Sequence, residues 1–196
     1  MERLNLNLRK YAYFPDGLLK AINGKMKREE FEDGAIILNK GRMNDRCYFI
    51  LQGVIKIVDE ENNETVILYI LAEDDFVIAP DSFLLYRPTK YKIIAVGHVK
   101  VVSATLGELL EISKEFPLLP ININIIQAHY RNEKEQEVSL YSILSAQEKY
   151  DHFKKAKEHI IGRLCDEDIW RYLNMSEKTY YKCKNGWHKG KEGHKQ

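Results

Sequence analysis

The chain has 196 residues, of which 44% are hydrophobic, 30% charged and 11% aromatic, with a formal net charge of +1. That length and mix fit one large or two small folded domains and exclude an intrinsically disordered chain. The charge is uneven: residues 176–196 hold six lysines against two glutamates, while the remainder holds 24 Lys and Arg against 27 Asp and Glu. A basic end on a mildly acidic body suits an anionic partner for the end alone. The three cysteines, Cys47, Cys165 and Cys183, are odd in number and form no C-x-x-C, which argues against a disulfide framework or a zinc ribbon. Reduced thiols, and no apolar run of membrane-span or signal-sequence length, point to the cytoplasm.

Met1–Tyr13 carries no clear signal. Phe14-Pro15-Asp16-Gly17 reads as a turn, and Leu18, Leu19 and Ile22 as a short helix ended by Asn23-Gly24. From Lys25 the pattern changes to strands: Met26–Phe31, Ala35–Asn39, Cys47–Leu51, Val54–Asp59, Thr65–Leu71, Lys90–Ala95 and Val99–Ala104. Gly34 and Gly41 supply turns where φ > 0 is needed, Gly53 suits a sharp turn or a bulge, and Glu60-Glu61-Asn62-Asn63 is a polar hairpin tip. Lys56 reads as solvent-facing. Many short strands at near-regular spacing mean a sandwich, barrel or roll. Leu106–Phe116 is an amphipathic helix, and a longer one runs from Pro120 to about Leu144. Its Ile121, Ile125 and Ala128 form one line and Ile123, Ile126 and Tyr130 another, interrupted by the polar stretch Arg131–Glu137. Packing on the chain's own strands and packing against a partner explain that stripe equally well. Ser145-Ala-Gln-Glu148 has capping-box spacing and opens a helix with Tyr150, Phe153 and Ala156 on its buried side.

The stretch Asp166–Lys182 is the strongest functional motif. Ile169, Trp170 and Leu173 share one helical face, Asn174 suits a left-handed turn, Met175 plugs the corner and Ser176 caps the next helix. Helix, tight turn and capped helix is the helix-turn-helix design, and Ser176, Glu177, Lys178, Thr179 and Lys182 then lie where base edges and phosphates can be reached. A helix cap on an ordinary surface helix is the competing explanation. The tail residues Lys184, Lys189, Lys191 and Lys195 either touch phosphates or are simply solvated. A metal shared by Cys183, His188 and His194 is disfavoured, and no catalytic constellation is visible.

The order of Gly34, Gly41, Tyr48-Phe49-Ile50-Leu51-Gln52-Gly53, Leu68–Leu71 and Asp75-Phe76 resembles the β-roll of cyclic-nucleotide-binding domains. With the C-terminal motif, the chain resembles the catabolite activator / fumarate-nitrate reduction regulator (Crp/Fnr) family of transcription factors. The resemblance implies an α+β chain with a β-roll sensor domain over 1–116, a long dimerisation helix over 117–144 and a helix-turn-helix domain over 145–196. It also implies a homodimer bound to double-stranded DNA, with contact to RNA polymerase. Ser176 and Thr179 would contact the DNA backbone, Glu177 and Lys178 would read bases, and Lys182 would stand at a basic reading position. The family's two-stranded wing after this helix is absent or rudimentary.

In that family a Gly-Glu pair meets the ribose and an Arg-Ser or Arg-Thr pair the cyclic phosphate. Here Ile78-Ala79 and Thr89-Lys90 occupy those positions, and Arg87 is displaced by two residues. The expectation is a roll that does not take cyclic AMP in the usual way, with any effector pocket formed near Ser82, Arg87, Thr89 and Lys90 and no resident cofactor. A small-molecule-binding roll without DNA function is the rival reading, and an enzyme ranks last.

Overall fold

The computed structural model describes residues 1–61 and 64–186. The hairpin tip Asn62-Asn63 and the tail with Lys189, Lys191, Lys195, His188 and His194 lie outside the described residues. Helices α1 (Glu2–Tyr11) and α2 (Asp16–Lys25) precede strands β1 (Lys27–Phe31), β2 (Ile36–Leu38), β3 (Arg46–Glu61), β4 (Glu64–Leu71) and β5 (Phe76–Val77). Then come α3 (Pro80–Phe83), β6 (Lys92–Thr105), α4 (Leu106–Glu115), the long α5 (Leu118–Ile143), and α6 (Ala146–Ala156), α7 (Asp166–Tyr172) and α8 (Glu177–Lys184).

The first residues form a helix where the sequence carried no clear signal. Leu4 and Leu8, one turn apart, are buried in the core, and Asn7 Nδ2 donates to the Asp74 carbonyl at 3.0 Å. Arg3 Nε reaches Asp74 Oδ1 at 2.6 Å. Helix α2 starts inside the expected turn at Asp16 and runs one residue past Gly24. Pro15 stands just before its first turn, where the ring costs no hydrogen bond.

The expected strand pairs 47–51 with 54–59, and 90–95 with 99–104, are each one long bent strand. β3 pairs with β6 from Arg46↔Thr105 to Val58↔Lys92, and its register shifts between Ile50, Gln52 and Val54. Gly53 sits at that shift with φ +100 and Gly97 of β6 has φ +70, so both glycines bend strands rather than end them. β1 and β2 also pair with β6, and β4 and β5 with β3, all antiparallel. β5 was not among the strands expected from the sequence.

Alternation along the bent strands sorts the core. Tyr48, Ile50, Val99 and Val101 point into the roll, while Phe49, Val102 and Ala104 point out against α1, α2, α4 and α5. α4 is held by a capping box in which Thr105 Oγ1 accepts from Glu108 N at 3.1 Å and Thr105 N donates to Glu108 at 2.8 Å. α5 begins at Leu118, with Pro120 in its first turn, and the buried Asn122 donates to the Tyr13 carbonyl at 2.7 Å.

The C-terminal helices have no separate core. Tyr150, Phe153, Ile160, Ile169, Leu173, Tyr180 and Cys183 pack in one cluster with Val54, Val58, Ile67, Ile70 and Ala72 of the roll. Ser145 caps α6 with Glu148 as the spacing implied, but Ala156, in the last turn of the helix, is exposed rather than buried. Lys56 corrects a second expectation. Its Nζ does not face open solvent but lies 2.6 Å from Asp168 of α7, with only 22% of the lysine side chain and 6% of the aspartate side chain exposed. Arg163 adds a two-pronged clamp on Glu73, at 2.6 and 2.7 Å.

The Arg163 guanidinium, together with the Gly53 amide, holds the Glu73 carboxyl down to about 2 from its ordinary 4.5, against the opposing effect of burial. A carboxyl lowered on folding stabilises above its unfolded pKa and loses that contribution as pH falls through the folded one. The stability difference between the native chain and Glu73→Gln should therefore be full above pH 5 and shrink as pH falls toward 2. Urea unfolding at a series of pH values checks this; a difference that does not change with pH would count against the clamp.

Candidate effector cavity and recognition-helix face

A cavity of about 610 Å³ runs from inside the roll to the inner side of α5. Ile57 and Ile93 wall it from the long strands, Phe76, Ile78, Ala79 and Phe83 from the β5–α3 segment, and Ile123, Gln127, Tyr130, Arg131, Lys134 and Glu135 from α5. Period 3.6 brings 123, 127, 130, 131 and 134 to one side of a helix, so the sequence places them together without a loop. Tyr130 OH accepts from Phe76 N at 3.2 Å and lies 3.4 Å from Asp75 Oδ1. Burial raises the pKa of both Tyr130 and Asp75.

None of Ser82, Arg87, Thr89 and Lys90 lines this cavity. Ser82 and Thr89 are 2% exposed and serve the backbone: Ser82 Oγ accepts from Asn44 N, and Thr89 Oγ1 accepts from Tyr91 N at 3.1 Å. Arg87 and Lys90 are exposed. Ile78 and Ala79, at the ribose positions of the resembled family, instead give the cavity apolar wall.

Lys134 has a double position. Its side chain lines the cavity, while Nζ lies 2.7 Å from Glu137 Oε2 and 3.4 Å from Tyr172 OH of α7, and 4.9 Å from the ring centres of Tyr69 and Tyr172. Tyr172 OH donates to Glu137 Oε1 at 2.5 Å. Burial works against the Glu137 carboxylate, yet the hydrogen bonds from Lys134 and Tyr172 hold its pKa below the ordinary value. These α5 residues were missed by sequence reading. The polar interruption Arg131–Glu137 in an otherwise apolar stripe was their signal.

Further along the chain, α7 and α8 meet through Asn174 at φ +51, and Met175 N bonds the Trp170 carbonyl at 2.9 Å. Ser176 caps α8, its Oγ accepting from Thr179 N at 3.2 Å. Tyr180 is buried and its OH donates to Asp166 Oδ1 at 2.7 Å, while Lys184 bonds the same carboxylate at 2.6 and 2.7 Å. The helix thus turns Tyr180 and Cys183 inward and leaves Ser176, Glu177, Lys178 and Lys182 exposed, with Thr179 half-buried beside them. Tyr181, 39% exposed one turn from Lys178, joins that face and was not singled out in the sequence.

The sequence profile described as the cyclic nucleotide-binding domain matches residues 28–116, from β1 through α4. This stretch is similar to cyclic nucleotide-binding domains. No curated protein matches the chain. Solved structures share the fold around and beyond this domain at low identity. FixK2 from Bradyrhizobium japonicum aligns with a TM-score of 0.70 at 13% identity, covering 82% of this chain and 83% of that one. The c-di-GMP responsive global regulator CLP of Xanthomonas campestris aligns at 0.66 and 11%, covering 87% and 90%. The catabolite activator protein of Thermus thermophilus aligns at 0.58 and 14%, covering 91% and 85%. The chain therefore has the fold of the Crp/Fnr regulators: a cyclic nucleotide-binding domain, a long helix and C-terminal helices arranged as in the catabolite activator protein. No helix among the described residues is long and apolar enough to cross a membrane.

Proposed function

We propose that the chain is a cytoplasmic, dimeric transcription regulator that binds double-stranded DNA through α7 and α8. The observation that carries this reading is the exposed face of α8, with Glu177, Lys178 and Lys182 outward and the left-handed Asn174 turn behind it. Residues 1–116 act as the sensor, 117–144 as the connecting helix and 145–196 as the DNA-binding part. Ile121 and Ile125, 57% and 44% exposed on the outer line of α5, are the apolar surface a second copy would cover. Two copies then set two recognition helices in successive major grooves of a near-palindromic site. The roll responds to something other than a cyclic nucleotide, since Ile78 and Ala79 offer a ribose no partner.

The first test is retention of fragmented source DNA on the purified protein with and without cyclic AMP, followed by sequencing. Enrichment of a palindromic site without nucleotide supports the reading; enrichment only with nucleotide contradicts its sensor half. On the recovered site, Lys182→Ala should weaken binding about tenfold, within the range of one base or phosphate contact. Equal affinity of the variant across a salt titration would remove Lys182 from the interface.

A further inference from the structure

We infer that the 610 Å³ cavity is a site for an apolar monocarboxylate, an acyl acid whose hydrocarbon body lies in the roll and whose carboxylate meets Arg131 and Lys134 on α5. The inference rests on reading the roll as a sensor and specifies what it senses. The volume is that of an ordinary small-molecule site. Its chemistry is divided along its length. Every charged or amide side chain in the wall, Gln127, Arg131, Lys134 and Glu135, belongs to α5, and the strand and β5–α3 walls offer aliphatic and aromatic carbon with tyrosine hydroxyls. A phosphate placed deep in the roll would lose its water and find no cation, at a cost of many kcal/mol. A hydrocarbon chain there removes apolar surface from water on both sides, worth about 0.8 kcal/mol for each buried CH₂.

The α5 rim selects the head group. Arg131 is exposed and, among the described residues, sits in no ion pair. Lys134 brings a second cation, and Glu135 is the one carboxylate on the rim. Arg131 is the cation left for a ligand and Lys134 is shared with Glu137, which favours a single negative charge on the ligand, whereas a second charge would meet Glu135. Lys134 also gives the site an outlet. A ligand carboxylate competes with Glu137 for Nζ, and Glu137 is the group that holds Tyr172 of α7. Occupancy of the roll thereby acts on the α5–α7 link, and the ligand shifts that equilibrium by as much as it prefers one arrangement over the other.

The test is calorimetric titration of the full chain with decanoate below its micelle threshold, with decan-1-ol and with cyclic AMP. Decanoate should bind saturably at one site per chain and at least tenfold more tightly than the alcohol. Arg131→Gln should bring decanoate down to the affinity of the alcohol without moving the melting temperature. Ile123→Trp, which fills the cavity from its half-buried α5 wall, should abolish binding of both. Should Ile123→Trp fail to fold, the exposed Arg131→Gln still decides. Absence of saturable decanoate binding, equal binding of acid and alcohol, or displacement of decanoate by cyclic AMP would each overturn the assignment. Because no DNA is present, failure here is distinguishable from failure of the chain to retain an operator.

Discussion

Lys56→Ala is expected to cost about 3 kcal/mol of stability and to loosen the C-terminal helices from the roll, the range seen when one partner of a buried ion pair is removed. Asp168 is 5% exposed and its carboxylate faces Lys56 Nζ at 2.6 Å. Without the ammonium, that carboxylate stays buried beside Ile169 and Leu173 with its charge uncompensated. The pair itself need not be a large net stabiliser, because desolvating both ions offsets most of their attraction. This gives a second expectation: Lys56→Met combined with Asp168→Leu should recover most of the stability lost by the single change. Urea unfolding supplies the energies, and amide exchange in 166–184 shows whether α7 and α8 open before the roll does. An unchanged unfolding midpoint for Lys56→Ala would show that the pair is not closed in solution.

Gly53→Ala should be as damaging for a different reason. At φ +100 the backbone lies where a side chain is strained, and a Cβ there would meet the His98 carbonyl oxygen at 2.7 Å and Val99 Cα at 2.9 Å. Those are backbone atoms of the paired strand and cannot swing aside as the end of a side chain can. Strain and displaced pairing together should cost about 4 kcal/mol, among the larger effects of single substitutions. Gly97→Ala is the matched control: its φ is +70, yet nothing lies within 4 Å of the added carbon. It should lose only the conformational preference, about 1–2 kcal/mol. Similar melting temperatures for the two variants would contradict the close approach of β3 and β6.

The fold was legible where local chemistry decides it. Ser145 and Glu148, Asn174 and Ser176 declare helix starts and a turn through their own side chains, and each does so in the structure. Long-range pairing was harder to read. Gln52-Gly53 looks the same in a hairpin as in a bulge, and only its pairing with β6, far along the chain, makes it a bulge. Lys56 shows the same limit, since a lone lysine in an apolar strand points to water unless another element brings a carboxylate to it. The cavity was the least legible part. Its rim is a run of charged residues on α5 that reads as a solvated face until the roll is placed beside it. Ser82 and Thr89, which a linear comparison puts near a ligand, turn their hydroxyls to backbone amides instead.

The shared core of roll and C-terminal helices also sets an order of assembly. β1 pairs with β6 from Lys27↔Ser103 to Phe31↔Val99, so the roll cannot close until the first hundred or so residues have been made. Only then do Val54, Val58, Ile67 and Ile70 stand as one finished apolar face. A chain made from its amino end first completes that face before α7 and α8 have emerged. The last helices therefore condense on a template that the first hundred residues have already built. Freed from that template, a fragment carrying α6–α8 would expose Phe153, Ile169 and Leu173 and would be expected to clump rather than to seek an operator.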